Sequence, residues 1–275
     1  VERSRGLGDV YKRQIIMSLI NMSQKKFILT ISGHDPTSAA GMTMDIMVAS
    51  KFNFHCLSVI NNLTIQDAKK LYKVVNVNEK FFNKSLRSLE KNFEVSGIKI
   101  GAISSHKIIE ETVNFLKSKL KIPIIIDPII KAGGGGLFLK KENLNLALKK
   151  LYPLASLLTP NKEELFYLTG LTNPTDSIKK LQDLGINKIY VTGNEINKNI
   201  VNTLYVDGEK KLEVKTSKLD KKIHGTGCAL STSILCNLIK SKDLSKSCKE
   251  ANNFMEKYLK NSLDTGEQDF INLNQ

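Results

Sequence analysis

The sequence has no tryptophan and is short of acidic residues: 27 Asp and Glu oppose 41 Lys and Arg, for a formal net charge of +14. Its lysines are scattered in pairs and form no long basic run. A nucleic-acid-binding surface concentrates its basic residues and interleaves aromatic side chains that stack on bases. The composition therefore favours a solvated basic surface, which can also steer phosphorylated substrates, and we expect no nucleic-acid partner.

Long apolar runs and paired cysteines are lacking as well. No apolar run approaches the roughly 20 residues that span a bilayer, and the stretch 229–239 is interrupted by serine, threonine and asparagine. The four cysteines show no C-x-x-C pair and no metal-ligand spacing. This pattern is typical of buried free thiols in a reducing compartment, so we expect a cytoplasmic protein with no membrane partner.

The first residues lack an initiator methionine, a helical apolar period and the layout of a signal peptide. We expect residues 1–22 to be a non-native or disordered extension, with a true start at Met17 or Met22. We expect residues 23–275 to form a single domain. With 41% apolar and 25% charged residues, the chain has the balance of a globular protein.

What the sequence does contain is an alternation of strands and helices. Apolar β-type runs at 27–31 and 122–126 are separated by helical patterns such as the one at 78–90. This order predicts right-handed βαβ units and a mostly parallel sheet, with an antiparallel hairpin at 200–215. Most of the unusual residues follow the ends of strands, which is where ligands bind in such sheets.

The segment with the clearest chemical meaning is His224-Gly225-Thr226-Gly227-Cys228, directly before a helical run. Glycines at a helix start let backbone N–H groups converge on one point, and the helix dipole adds positive potential there. The segment therefore predicts an anion hole for a transferring phosphoryl group. A thiol in the first helical turn has a lowered pKa and can take the proton from an attacking hydroxyl. The alternative is an ordinary glycine-rich turn with a buried cysteine.

Six segments, in order along residues 26 to 262, resemble the hydroxymethylpyrimidine/phosphomethylpyrimidine kinase family, a branch of the ribokinase-like superfamily. They are the opening segment 31–45, which begins Ile31-Ser32-Gly33-His34-Asp35-Pro36 and ends at Asp45, then Leu63-Thr64-Ile65-Gln66-Asp67, Lys99-Ile100-Gly101, Asp127-Pro128-Ile129-Ile130 with Gly134-Gly135, Thr159-Pro160-Asn161-Lys162-Glu163-Glu164 and the H-G-T-G-C segment. The resemblance implies an α/β fold, a three-layer αβα sandwich with a mostly parallel central sheet, and a homodimer. It also implies ATP-dependent phosphorylation of 4-amino-5-hydroxymethyl-2-methylpyrimidine and of its monophosphate in thiamine biosynthesis.

The resemblance further implies roles for individual residues. The catalytic group would be the general base Cys228 with the anion hole of Gly225, Thr226 and Gly227. The residues that would line the pyrimidine site are Gly33, Asp45, Gln66 and Ala102. Those on the ATP side would be Asn161, Thr192 and Gly193. Mg²⁺ would be held near Asp127 and, through water, by Glu164.

Plain alternatives remain for several of these residues. Asp45 could be a helix-surface carboxylate and Gln66 a polar turn residue. Asp127 could be an ordinary acid between a strand end and a proline, and Glu164 an acid favoured by the dipole at a helix N-terminus. Ala102 replaces a methionine that usually closes the family's substrate pocket. Two further hypotheses therefore stay open: a pyridoxal or pyridoxine kinase, and a catalytically silent ligand-binding protein of the same fold.

Overall fold

The computed structural model describes residues 26–131 and 136–274, so the expectation for residues 1–22 lies outside the described part of the chain. A central sheet is built from β1 (Lys26–His34), β2 (Phe54–Gln66), β3 (Leu71–Asn76), β4 (Val95–Ile100), β5 (Ile124–Ile126), β6 (Leu157–Leu158), β7 (Lys188–Ile196), β8 (Asn199–Val206) and β9 (Glu209–Ser217). Their order across the sheet is β3-β2-β1-β4-β5-β6-β7-β8-β9. All pairings from β2 to β7 are parallel, and those at the two edges are antiparallel. The prediction of a mostly parallel sheet is confirmed.

Helices cover both faces of this sheet. They are α1 (Gly41–Lys51), α2 (Glu79–Asn92), α3 (His106–Leu116), α4 (Lys141–Leu146), α5 (Lys162–Thr169), α6 (Pro174–Asp183), α7 (Thr226–Ser241) and α8 (Leu244–Leu259). One apolar core lies under α2 to α6 and a second lies under α1, α7 and α8. This arrangement confirms the three-layer αβα sandwich. Within the described ranges, no helix is long and apolar enough to cross a membrane.

Local sequence signals account for several element ends. Asn161 caps α5 by accepting a hydrogen bond from the Glu164 N–H at 2.8 Å, and the Glu164 carboxylate accepts one from the Asn161 N–H at 2.9 Å. Gly170 then ends α5 in the left-handed region with φ of 70°. Asp207 and Gly208 both have positive φ, 50° and 79°, which confirms the tight hairpin turn between β8 and β9.

Other elements differ from the sequence-based expectation. The apolar run in the sequence predicts a second strand only at 56–60, but β2 extends to Gln66 because its second half pairs with β3 at the edge of the sheet. The pattern did not predict β3, whose residues are partly exposed on both faces and so show no clear alternation. The short helices α4 and α6 were not predicted either. Edge and surface elements are stabilised by tertiary contacts that a one-dimensional pattern does not contain.

The loop before α1 packs directly on the turn before α7. Two short strands, β10 (Ile223–His224) and β11 (Asp269–Phe270), pair in parallel, and β10 runs directly into this turn. Gly225 follows with φ of 82°, and a Cβ atom at this position would overlap the carbonyl oxygen of Ala39. No residue other than glycine fits this contact without moving one of the two loops.

We predict that Gly225→Ala lowers the free energy of unfolding by about 2 kcal/mol or more, because strain and overlap act together. The matched control is Gly170→Ala, since Gly170 also has positive φ, 70°, but a Cβ atom there would meet nothing within 4 Å. We expect that control to cost only about 1 kcal/mol. Urea unfolding of both variants checks the difference, and equal losses would contradict the close packing of the two loops.

Candidate active site

A cavity of about 590 Å³ opens where the parallel strands end. Its walls come from the loop after β1, the end of β2, the residues following β4, β5 and β6, and the N-terminus of α7. The sequence-predicted site residues that line it are Gly33, Gln66, Ala102, Asp127, Asn161, Glu164, Thr192, Gly193, Gly225, Thr226, Gly227 and Cys228. Residues that are far apart in the sequence therefore meet at the position expected for an α/β sheet.

Asp45 is the one predicted site residue that does not reach the cavity, so its assignment to the pyrimidine site is wrong. Its side chain is completely buried, and the Lys99 ammonium lies 2.9 Å from each carboxylate oxygen. The hydroxyls of Thr30 and Thr232 donate to the same carboxylate at 2.6 Å and 2.8 Å. Because the protein itself satisfies both oxygens, Asp45 has no free acceptor to offer a substrate.

The N-terminus of α7 meets the requirement for an anion hole. Its N-cap is Gly225, and no side chain caps the first turn. The first N–H groups of a helix have no partner inside the helix, so an uncapped start can donate to a ligand. A Cβ atom at Gly227 would lie 3.5 Å from an Asp127 carboxylate oxygen, which places the helix start beside that acid.

The thiol of Cys228 lies in this first turn, but its pKa does not fall as expected. Burial raises the pKa of Cys228 to about 12, with Asp127 and Asp45 acting in the same direction and Lys99 and the Gly41 N–H opposing them. Desolvation therefore outweighs the two groups that favour the thiolate, Lys99 and the Gly41 N–H. The thiol interacts with Asp127 and lowers the pKa of that carboxyl, although burial raises the Asp127 pKa more strongly.

Two buried carboxylates, Asp127 and Glu164, lie together on the cavity wall. Burial raises the pKa of Asp127, although Lys99 opposes this shift. Burial and the neighbouring Asp127 both raise the pKa of Glu164. Within 26–131 and 136–274, no cluster of three or more His, Cys, Asp or Glu residues could hold a metal ion. A pair of repelling carboxylates nevertheless fits Mg²⁺, which is commonly held by one or two protein carboxylates together with phosphate and water oxygens.

The structure also shows two features that the sequence did not assign. Asp35 accepts a hydrogen bond from the His224 ring at 2.9 Å, and this pair ties the loop after β1 to the anion-hole segment. Burial would raise the pKa of Asp35, but hydrogen bonds from His224 and Thr37 hold it below its ordinary value. Lys99 is the second feature. The available signal was a lysine within an apolar central strand, because a buried lysine requires a carboxylate partner.

Known structures share this architecture. Bacillus subtilis pyridoxal kinase in an ADP complex superposes with a TM-score of 0.81 over 90% of this chain and 97% of that one, at 22% identity. Phosphomethylpyrimidine kinase from Clostridium difficile superposes with a TM-score of 0.72 over 85% of this chain and 99% of that one, at 25% identity. The fold and the site define a ribokinase-like kinase.

The sequence comparison narrows this class. Residues 35–272 match the family described as phosphomethylpyrimidine kinase. The hydroxymethylpyrimidine/phosphomethylpyrimidine kinase of Aquifex aeolicus is 30% identical over 244 residues, which cover 86% of this chain and 96% of that protein. The chain belongs to the phosphomethylpyrimidine kinase family, and the resemblance found in the sequence is confirmed.

We predict that Cys228→Ala lowers kcat by about 100-fold or more, because a positioned proton-transfer group contributes at least that factor. Cys236→Ala is the matched control: Cys236 is buried on the same helix but lies in the apolar core away from the cavity. The control should lose stability and keep its kcat. Steady-state kinetics and thermal unfolding of both variants test this, and full activity of Cys228→Ala would remove the thiol from the mechanism.

Proposed function

We propose a division of labour among the cavity residues for the reaction of this family. In that reaction ATP phosphorylates 4-amino-5-hydroxymethyl-2-methylpyrimidine and then its monophosphate, in thiamine biosynthesis. The observation that carries the proposal is the meeting of an uncapped helix start, the Cys228 thiol and the Asp127–Glu164 carboxylate pair in one cavity. Phosphoryl transfer needs this combination because its catalysis consists mainly of positioning and charge stabilisation.

The pyrimidine is assigned to the part of the cavity lined by Gly33, Gln66 and Ala102. A carboxamide offers both a donor and an acceptor, which match the amino group and adjacent ring nitrogen of an aminopyrimidine. Since Asp45 does not reach the cavity, Gln66 binds the amino group and the ring nitrogen without help from that carboxylate. His34 lines the same region and is a further polar contact.

ATP is assigned to the opposite part of the cavity, lined by Asn161, Thr192 and Gly193. The extended segments at Asn161 and Thr192 pair as parallel neighbours, and the Gly193 N–H donates to Asn202 at 2.8 Å. This places rigid backbone along the nucleotide side. Lys131 lines the cavity and supplies a positive charge for the phosphates.

Proton removal and charge stabilisation are assigned to the start of α7. The hydroxymethyl oxygen attacks the γ-phosphorus of ATP, and the bond from that phosphorus to the bridging oxygen breaks. The first-turn N–H groups, from Gly225 to Cys228, donate to the transferring phosphoryl oxygens. Cys228, in its thiolate form, accepts the proton of the attacking hydroxyl, which leaves the Asp127 carboxylate available to Mg²⁺. Mg²⁺, held near Asp127 and Glu164, would neutralise phosphate charge.

Assembly and location stay proposals. The homodimer implied by the family resemblance has a candidate surface on the β2–β3 hairpin, where Leu63, Ile65 and Tyr72 are 45%, 58% and 54% exposed. A second copy of the chain would cover these apolar side chains. The four cysteines are free thiols, which is in keeping with the proposed cytoplasmic location.

For the metal site, we predict that Glu164→Gln raises the Mg²⁺ concentration for half-maximal activity by about tenfold, because one carboxylate charge near the ion is lost. Glutamine retains the acceptor oxygen that caps α5. The matched control is Glu163→Gln, one residue earlier on the same helix and exposed to solvent. Titration of activity with Mg²⁺ separates the two variants. An unchanged Mg²⁺ requirement in Glu164→Gln would contradict the assignment.

For substrate choice, we predict a higher kcat/KM with the hydroxymethylpyrimidine than with pyridoxal. Pyridoxal also carries a hydroxymethyl arm but has a bulkier ring edge, and Ala102 leaves room beside the substrate. We expect Ala102→Met to lower kcat/KM for pyridoxal by about tenfold more than for the pyrimidine, because added volume penalises the bulkier ring. Mass spectrometry of the phosphorylated products gives kcat/KM for each of the two substrates. A preference of the wild type for pyridoxal would favour the alternative function.

A further inference from the structure

Two residues one turn apart on α1 meet two residues one turn apart on α7. The Gly41 N–H lies close enough to the Cys228 thiol to lower its pKa, and four residues further along each helix Asp45 accepts from the Thr232 hydroxyl at 2.8 Å. Residues i and i+4 lie above one another on a helix face. The buried carboxylate therefore lies one turn below the thiol that we place in proton transfer.

The carboxylate is itself held from three sides. Lys99 on β4 approaches both of its oxygens at 2.9 Å, and Thr30 on β1 donates at 2.6 Å. The Lys99 ammonium also donates to Ser32, at 3.3 Å. The side chains of Thr30, Ser32, Asp45, Lys99 and Thr232 are all completely buried. Asp45 is thus fixed to two central strands, and Thr232 is the point at which α7 is attached to that fixed group.

A second polar contact joins the same part of α7 to the sheet, but it is weaker. Ser231 lies 3.4 Å from an Asp127 oxygen and also donates to the Cys228 carbonyl oxygen at 3.1 Å. Hydrogen bonds to an ionised acceptor are stronger and more directional than neutral ones, and they weaken as they lengthen. The 2.8 Å bond from Thr232 is therefore the better-defined anchor of α7.

Stability alone is a poor explanation for this arrangement. A buried ion pair can often be replaced by apolar side chains without loss of stability, since desolvation of the charges offsets their attraction. What such a pair does supply is a fixed direction for its hydrogen bonds. Here one of those bonds leads to the helix whose first turn forms the anion hole.

We propose that Asp45, held by Lys99, is a positioning residue that sets the location of α7 through Thr232. In this role it determines where the first-turn N–H groups and the Cys228 thiol stand relative to the reacting phosphoryl group. The inference rests on the proposed function of the α7 start. It gives Asp45 a part in the reaction without contact to substrate.

Thr232→Val and Thr30→Val test this directly as a matched pair. Each replaces a completely buried hydroxyl that donates to the same carboxylate by a methyl group of similar size, but only Thr232 lies on α7. We expect similar decreases in Tm. We expect kcat to fall about tenfold or more in Thr232→Val alone, with KM for both substrates little changed, because small misplacements of catalytic groups cost that much. Thr232→Ser keeps the hydroxyl and should restore kcat.

A purely structural role predicts a different result: both valine variants would lose stability, and neither would lose kcat. Normal kcat in Thr232→Val, or an equal fall in both variants, overturns the proposal. If the valine variants are insoluble, the pair Thr232→Ala and Thr30→Ala gives the same comparison. The Cys228→Ala variant distinguishes failure of the positioning role of Asp45 from failure of the proposed role of the α7 start. If it is inactive while Thr232→Val is normal, only the positioning role fails; if it is fully active, the proposed role of the α7 start fails.

Discussion

The site depends on the contact between the start of α7 and the loop that follows β1. Gly225 is required there because any side chain would overlap the Ala39 carbonyl oxygen. The Asp35–His224 hydrogen bond joins the same two segments at 2.9 Å. Through this contact, the loop to which we assign pyrimidine binding and the turn to which we assign phosphoryl binding are held against each other. Rigid placement matters because phosphoryl transfer depends mainly on alignment of the reactants.

Burial is the dominant electrostatic influence in the cavity. It raises the pKa of Asp127, Glu164 and Cys228 together. Lys99 is the charge that counters this effect for both Asp127 and Cys228. The lysine is itself paired with Asp45, and its positive charge is thereby kept inside the protein.

The sequence predicted the central fold and twelve of the residues that line the cavity because short-range patterns indicate both. A glycine-rich turn before a helix, an N-x-x-E capping box and apolar central strands are local signals, and the order of the strands brings their ends together. The edge strand β3 was missed because its residues are only partly buried. Helices α4 and α6 were missed because they are short and bury only two and three residues each. Asp45 was misplaced because its position in a family motif does not say on which side of the helix its partners lie. Its Lys99 and Thr232 partners are 54 and 187 residues away.

The central claim is that the first-turn N–H groups of α7 receive the migrating phosphoryl group beside Cys228. A structure of the protein with the pyrimidine, Mg²⁺, ADP and aluminium fluoride tests it most directly, since the fluoride complex imitates the phosphoryl group in transit. The account predicts fluorine atoms within hydrogen-bond distance of the backbone from Gly225 to Cys228, and the hydroxymethyl oxygen next to the Cys228 sulfur. Aluminium fluoride bound elsewhere, with that backbone unoccupied, would contradict it.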